Sequence, residues 1–219
     1  MVKVERTPTP PSSLAIEALK ASGSYTKEDV VNQLAKDFNN KCYLCEKDDL
    51  DAINIEHLIP HKGNTALRFS WDNLFFSCSH CNSMKNRKEF DNLIIDCCKE
   101  EPEEMLWHTF TAGTVHVYPR DEFSSDARAI ATAKLLTDCF ENKDTAIRVK
   151  QCETKVKALS ETMVPFFKML RAYRKNPCTK TLADVCGYLD RTYKFAGFTR
   201  SYVRMHLEEY PGLAEYVEL

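Results

Sequence analysis

Hydrophobic residues recur at helical spacing near the N-terminus, after a stretch that has no such period. Four apolar positions share one face of a helix: Val30, Val31, Leu34 and Phe38. This pattern predicts a helix over residues 27–39. The early prolines and a Ser-Gly-Ser sequence predict that residues 1–24, before the helix, form an irregular arm.

The later part of the chain changes from a strand pattern to a helical one. Two β-rich runs, Trp107–Phe110 and Thr114–Tyr118, flank Ala112-Gly113, which predicts a hairpin. From Ser125 onward the pattern is helical, with four residues on one face: Ala127, Ile130, Ala131 and Leu135.

A second, longer helical seam follows and contains a proline. Its apolar positions recur at steps of three and four: Val149, Cys152, Val156, Leu159, Met163, Phe166 and Leu170. Pro165 lies within this seam, so a kink or break near Val164 is expected.

Composition places the chain among globular proteins. Its 219 residues are 43% hydrophobic and 28% charged. No stretch approaches the roughly 20 apolar residues that span a bilayer, and the N-terminus lacks the apolar core of a signal peptide. The expected location is therefore the cytoplasm, without membrane association.

The charge is unevenly distributed. The net charge is -2, but residues 168–204 hold nine Lys or Arg against two Asp, a local charge of +7. Such a span can contact phosphates. It can equally be a solvated surface or a docking face for an acidic partner.

Four of the ten cysteines form two matched Cys-x2-Cys pairs, Cys42 with Cys45 and Cys78 with Cys81. Four thiolates complete a closed tetrahedral site, which suits zinc and leaves no position open for chemistry. We therefore expect a structural zinc that stabilises this region. The other six cysteines are unpatterned, and we expect most of them to be small buried hydrophobes.

The segment between and after the pairs carries candidate chemistry. It reads Ile55-Glu56-His57-Leu58-Ile59-Pro60, then Trp71-Asp72-Asn73, then Cys78-Ser79-His80-Cys81-Asn82 with Lys85 three residues later. This order resembles the zinc-stapled branch of the HNH endonucleases: an acid–His pair before a proline, a central Asn, and a polar residue directly after the last cysteine. The resemblance implies a metal-dependent nuclease that hydrolyses DNA phosphodiester bonds.

The resemblance also assigns roles within this segment. His57 matches the general base, and a neutral imidazole is suited to that role near pH 7. Glu56 and Asn82 match the ligands of one catalytic cation, and their oxygen donors suit Mg²⁺ or Mn²⁺. Asn73 matches the residue that ties the loop to the base strand. Asn86, one helical turn after Asn82, is a competing ligand.

This chain departs from the family at two of these positions, and three neighbouring residues need an assignment of their own. Many family members have Asp in place of Glu56 and His in place of Asn82, and Asn is a weaker ligand. Lys85 is a candidate for contact with phosphate. His61 can do the same or be an ordinary loop histidine. His80, inside the second pair, is expected to be exposed.

A wider resemblance covers most of the chain. The opening Met1-Val-Lys-Val-Glu-Arg-Thr-Pro, Glu46 after the first pair, and the stretch from Asp96 to Leu106 resemble the HNH subunit of Septu-type and retron-associated phage defence systems. This resemblance implies an effector nuclease that acts on DNA with an ATPase partner of the SMC or ABC type. The C-terminal helices would then contact that partner or DNA.

Together these features predict an α+β fold, a zinc-stapled ββα-metal HNH core with a mainly helical C-terminal region. The expected divisions are 1–40 for the arm and first helix, 41–95 for the nuclease core, and 96–219 for the hairpin and helices.

Two rival functions remain. A zinc-stapled nucleic-acid-binding module without catalysis explains the cysteines but not Glu56 next to His57. A RING-like interaction protein fits less well, because such modules bind two zincs through more ligands than these four cysteines.

Overall fold

The motif-rich segment is built on two antiparallel strands followed directly by a helix. The computed structural model describes residues 1–218, with β1 at Ile53–His57 and β2 at Leu74–Cys78. All five residues of β2 are buried, as its largely apolar sequence requires. Helix α4, Ser79–Lys85, begins directly after β2. The expected ββα core is confirmed.

The loop between β1 and β2 contains one short α-helix, followed by a 3-10 turn at Trp71–Asn73. This helix, α3, spans Thr65–Arg68, and Asn64 caps it by accepting a hydrogen bond from the backbone N–H of Leu67 at 3.1 Å. It delivers the carbonyl of Arg68 to the end of β1, where the candidate site lies.

Two helices precede the core, α1 at Ser12–Ala18 and α2 at Glu28–Asp37. The prediction of α2 is confirmed. The prediction that residues 1–24 are irregular is wrong, because α1 begins directly after Pro11, where a proline fits a helix start. A helix of this length with Leu14 as its buried apolar residue leaves no periodic signal in the sequence.

The arm before α1 is fixed to the core through Arg6. Its guanidinium donates to the carbonyl of Leu74 at 2.6 Å and lies 4.7 Å from the ring centroid of Phe75. The indole N–H of Trp71 in turn donates to the carbonyl of Thr7 at 2.8 Å. These contacts make the arm an integral part of the core surface.

The second hairpin lies in the C-terminal half and is confirmed. Helix α5, Pro102–Met105, leads into β3 at Leu106–Thr111, which pairs with β4 at Thr114–Pro119. Ala112 and Gly113 both have positive φ, 51° and 82°, as a two-residue turn of this type requires.

The remaining helices are α6 at Ala127–Glu141, α7 at Ala146–Lys175, α8 at Thr179–Leu189, α9 at Ala196–Met205 and α10 at Ala214–Val217. The mainly helical C-terminal region is confirmed. The sequence places Ile130 and Leu135 on one apolar face of α6. Leu135 is buried, but Ile130 is 47% exposed.

Helix α7 passes through Pro165 without a break. It continues as one helix of 30 residues, so of the kink or break expected near Val164 the break is excluded. The proline removes a hydrogen bond to the carbonyl of Glu161, one turn earlier. Glu161 and Val164 lie on the exposed side of the helix, where water can satisfy that carbonyl.

The basic span of residues 168–204 is not one surface. Arg200 is buried and donates to the carbonyls of Leu189 and Tyr216 at 2.9 and 2.6 Å. Arg204 donates to the carbonyl of Val217 at 2.6 Å. Both guanidiniums therefore donate hydrogen bonds to backbone carbonyls that are left unpaired at the C-terminal ends of helices. Four basic side chains are exposed and form no ion pair with a residue in 1–218: Lys168, Arg171, Lys175 and Lys180.

The C-terminal region packs directly on the first cysteine pair. The ammonium of Lys41 donates to the carbonyls of Arg191 and Tyr193 at 2.6 and 2.8 Å. The carboxylate of Glu46 accepts from the backbone N–H of Gly197 at 2.9 Å.

Across residues 1–218, no helix has both the length and the apolar character that crossing a membrane requires.

Candidate active site and metal centre

Four cysteine thiols converge where the loop before β1 meets the end of β2. Cys42 and Cys45 precede β1, Cys78 ends β2, and Cys81 lies in α4. Their Sγ atoms lie within 4.8 Å of one another, and all four residues are buried. A tetrahedral ion with Zn–S bonds of about 2.3 Å needs a cluster of this compactness. The donor set and its closure fit a structural zinc.

Ionisation of all four thiols would need a cation at the cluster. Burial raises the pKa of Cys42 and Cys81 well above the ordinary range, whereas hydrogen bonds from neighbouring thiols, Cys42 foremost, lower the pKa of Cys78. A buried group of four thiols cannot hold four negative charges unless a cation balances them. A divalent ion with a preference for sulfur is the group that this cluster suits.

Glu56 lies on β1 with its side chain buried, 3% exposed. The hydroxyl of Tyr43 donates a hydrogen bond to Oε1, and the ammonium of Lys85 lies 3.6 Å from the same oxygen. Burial raises the pKa of Glu56 to about 7, against the opposing effects of Lys85 and Tyr43. Oε2 accepts no hydrogen bond from any residue in 1–218, so one carboxylate oxygen is free for another ligand.

His57 follows Glu56 on the strand and is partly buried. Its Nε2 lies 3.0 Å from the carbonyl oxygen of Arg68. A carbonyl only accepts, so Nε2 carries the proton and Nδ1 has a free lone pair. Burial lowers the pKa of His57, which keeps the ring neutral near pH 7. The rings of Tyr25 and His61 flank it, with centroids at 4.6 and 4.7 Å.

Asn73 is buried and binds the backbone just after β1. Its Oδ1 accepts from the N–H of Ile59 at 2.8 Å, and its Nδ2 donates to the carbonyl of Ile59 at 2.9 Å. Nδ2 also donates to the carbonyl of Leu67 at 3.1 Å. One carboxamide thus joins the end of the His57 strand to α3, which supplies the carbonyl of Arg68.

Helix α4 presents the remaining candidates. Asn82 is partly buried, and its carboxamide forms no hydrogen bond with a residue of the described chain. Asn82 lies three residues before Lys85, so the two side chains share one face of α4. This face is turned toward β1, because the ammonium of Lys85 lies 3.6 Å from Oε1 of Glu56. Asn86 is exposed beyond the helix end.

The expectation that His80 is exposed is wrong, and Lys85 is buried as well. Lys85 is buried, donates to the carbonyl of His57 at 2.9 Å, and therefore supports β1 instead of offering its charge to solvent. His80 is also buried: its ring nitrogens lie 2.8 Å from Oε1 of Gln151 and 3.0 Å from the carbonyl of Cys139. Packing of α6 and α7 against α4 covers it.

Three site residues were missed by reading the sequence. Tyr43 bonds to Glu56, Tyr25 flanks His57, and Arg68 supplies the carbonyl that binds the imidazole. Tyr43 had a usable signal in the sequence. A tyrosine inside a buried Cys-x2-Cys loop needs a hydrogen-bond partner for its hydroxyl, and a nearby carboxylate is a suitable one. Tyr25 and Arg68 act through tertiary contacts and a backbone atom, which leave no sequence pattern.

Comparison with known proteins agrees with this geometry. Residues 42–88 match the family model described as HNH endonuclease. A similar protein is the Septu protein PtuB of Bacillus mycoides (strain KBAB4), 28% identical over an alignment of 116 residues. That alignment covers 38% of this chain and 39% of the relative, so well under two thirds of either. Residues 42–88, with both cysteine pairs and the Glu56–His57 strand, form an HNH endonuclease domain.

Proposed function

We propose that this protein is a metal-dependent endonuclease that hydrolyses phosphodiester bonds of DNA. The observation that carries the proposal is the hydrogen bond between His57 Nε2 and the carbonyl of Arg68 at 3.0 Å. It leaves Nδ1 as an unprotonated base on the residue next to Glu56, whose Oε2 is free. A binding module has no use for a buried carboxylate beside an oriented imidazole.

In this proposal, His57 Nδ1 removes a proton from the attacking water. The resulting hydroxide forms a bond to phosphorus, and the bond from phosphorus to the 3′ oxygen breaks, which leaves a 5′-phosphate and a 3′-hydroxyl once that oxygen is protonated. The lowered pKa of His57 keeps the base neutral at pH 7. The hydrogen bond to Arg68 fixes the tautomer and stabilises the imidazolium that forms.

Glu56 and Asn82 are proposed to hold the catalytic Mg²⁺ or Mn²⁺. The free Oε2 of Glu56 and the unbonded carboxamide of Asn82 are hard oxygen donors on facing elements, which fit such an ion. When bound, the cation would stabilise negative charge on the phosphate and the leaving oxygen. Tyr43 and Lys85 hold the other carboxylate oxygen and so fix the orientation of the ligand.

The remaining roles follow from contacts. Asn73 is proposed to orient the base strand through its two bonds to Ile59. The exposed basic side chains at the end of α7 and the start of α8 are proposed to contact DNA or a partner. The three divisions, 1–40, 41–95 and 96–219, are proposed as structural units that pack together.

The biological setting is proposed to be defence against phage. The similarity to Septu protein PtuB supports this setting. We propose that the chain is an effector in the cytoplasm that acts with an ATPase partner of the SMC or ABC type. The partner would control when the nuclease reaches DNA.

Cleavage of supercoiled plasmid tests the function. The purified chain, alone and with its ATPase partner, is incubated with plasmid and either Mg²⁺ or Mn²⁺, and the nicks are then treated with DNA ligase. Metal-dependent nicks that ligase seals would show the 5′-phosphate and 3′-hydroxyl ends that this chemistry leaves. Metal-independent nicks, or ends that ligase cannot join, would contradict the proposal. Intact plasmid in both samples would favour a binding module.

A further inference from the structure

A buried zinc site with four thiolates carries a charge that the protein must balance. Four thiolates and one Zn²⁺ sum to two negative charges, and burying uncompensated charge is costly. Groups around the ligands adjust the affinity of such sites. The question is which side chain of this molecule supplies positive charge at the cluster.

Lys155 of α7 is the side chain that meets this requirement. It is 6% exposed, yet its ammonium forms no hydrogen bond or ion pair with any residue in 1–218. The two other buried lysines, Lys41 and Lys85, donate to backbone carbonyls. Lys155 instead lines a cavity of about 220 Å³ whose wall includes Cys78.

The cluster and the lysine influence each other. Burial opposes the charge on Lys155, but the thiols of Cys45, Cys81 and Cys78 outweigh that effect and raise its pKa above the ordinary range. A buried ammonium without a carboxylate is stable only where other negative charge surrounds it. The cysteine cluster, whose Cys78 lines the same cavity as Lys155, is the source of such charge once it holds zinc.

An anion-binding role for the cavity is less well supported. Lys47 and Lys150 also line it, but Lys47 donates to the carbonyl of Asp48 and Lys150 pairs with Glu153. An anion placed here would lie beside the negative cysteine cluster. The lysines other than Lys155 are already engaged, so the cavity offers an anion little.

We infer that Lys155 is the charge-balancing residue of the zinc centre, through which the helical C-terminal region stabilises the metal site of the core. The inference rests on the proposed zinc and not on nuclease activity. Loss of the Lys155 ammonium would weaken zinc binding, although all four cysteine ligands would remain.

Zinc release from the full chain tests the inference. Zinc content is measured first by mass spectrometry, and the wild type is expected to hold one zinc per chain. Release into a chromogenic chelator is then timed for the wild type, Lys155→Met, Lys155→Arg and Lys150→Met. Lys150 is the matched control, since it lies on the same helix and cavity but its side chain is 81% exposed.

Lys155→Met is expected to release zinc on the order of 10-fold faster than the wild type. Lys155→Arg and Lys150→Met should behave as the wild type. If Lys155→Met fails to fold, Lys155→Gln replaces it and should also release zinc faster than Lys155→Arg. Unchanged release from the neutral variants would overturn the inference. Lys155-dependent binding of inorganic phosphate, with zinc release unaffected, would overturn it in favour of an anion site.

Discussion

The hydroxyl of Tyr43 donates a hydrogen bond to Oε1 of Glu56, and this bond joins the two halves of the site. Tyr43 lies between two cysteines of the metal cluster, and Glu56 lies beside the candidate base. The loop that carries the first cysteine pair therefore helps to fix the position of the carboxylate.

Replacement of Tyr43 by Phe should weaken the catalytic cation and leave the zinc in place. The variant loses a hydrogen bond to a buried carboxylate, an interaction of about 1.5–3 kcal/mol. We expect the Mn²⁺ concentration for half-maximal binding, followed by electron paramagnetic resonance, to rise about 10-fold or more. Zinc content should be unchanged.

Tyr118→Phe on β4 is the matched control for this change and should bind Mn²⁺ as the wild type does. Unaltered Mn²⁺ binding by Tyr43→Phe would mean that the tyrosine does not position Glu56. Loss of zinc in that variant would mean that the hydroxyl stabilises the loop of Cys42 and Cys45 instead.

Stability without Mg²⁺ should depend on pH through Glu56. The folded protein keeps the Glu56 proton up to a pKa of about 7, whereas the unfolded chain releases it near 4.5. Between these values the unfolded state binds fewer protons, so the free energy of unfolding falls as pH rises from 4.5 to 7. The full loss is roughly 3 kcal/mol.

Urea unfolding of the wild type and Glu56→Gln at pH 5 and pH 8, with zinc bound and Mg²⁺ absent, measures this loss. The glutamine variant should gain stability relative to the wild type as pH rises, because it has no proton to release. Added Mg²⁺ should reduce the difference. An equal pH dependence in both proteins would show that Glu56 is ionised at low pH in the folded state.

Replacement of Asn73 by Ala should destabilise the core and slow cleavage together. It removes three hydrogen bonds to backbone groups of Ile59 and Leu67 in a buried position. Each unsatisfied group costs about 1–3 kcal/mol. Chemical unfolding and initial cleavage rates check both effects. Asn73→Asp, which places an acceptor oxygen against the carbonyls of Ile59 and Leu67, should be impaired at least as much as Asn73→Ala. Wild-type rates in both variants would exclude the orienting role.

Replacement of Cys78 by Ala should abolish zinc binding and unfold the core. The buried site loses one of four ligands, and the free energy of metal binding is part of the folding free energy. Cys178→Ala is the control for zinc content, because Cys178 is exposed and lies outside the cluster. Cys178 caps α8 through Thr181, so this variant is expected to lose only a little stability. Zinc content and thermal unfolding of the two variants decide the matter. A Cys78→Ala protein that unfolds at the wild-type temperature would exclude the structural zinc.

The sequence predicts the elements of the core because local signals agree there. Paired cysteines, the apolar β2 strand and the acid–His pair each have a fixed spacing, so the ββα unit and its cluster follow. Asn73 could also be placed, since its position in the motif matches its contact with Ile59. Each of these signals lies within one short segment of chain.

The sequence fails where the outcome depends on what packs on an element. Lys85 and His80 look like exposed polar residues until β1, α6 and α7 cover them. Arg200 and Arg204 of the basic span are similarly drawn inward, because they donate to carbonyls at the ends of two helices. Pro165 gives the opposite error. The proline leaves the carbonyl of Glu161 without a helical hydrogen bond, but this carbonyl lies on the exposed side of the helix, so α7 continues.

The most direct test of the account compares metal-dependent plasmid cleavage by the wild type, His57→Ala and His116→Ala. His116 is the matched control, an exposed histidine on β4 away from the site. The account predicts that His57→Ala retains its zinc and fold but loses cleavage by about 100-fold or more, while His116→Ala cuts as the wild type does. Cleavage by His57→Ala at the wild-type rate would contradict the assignment of the general base and, with it, the proposed active site.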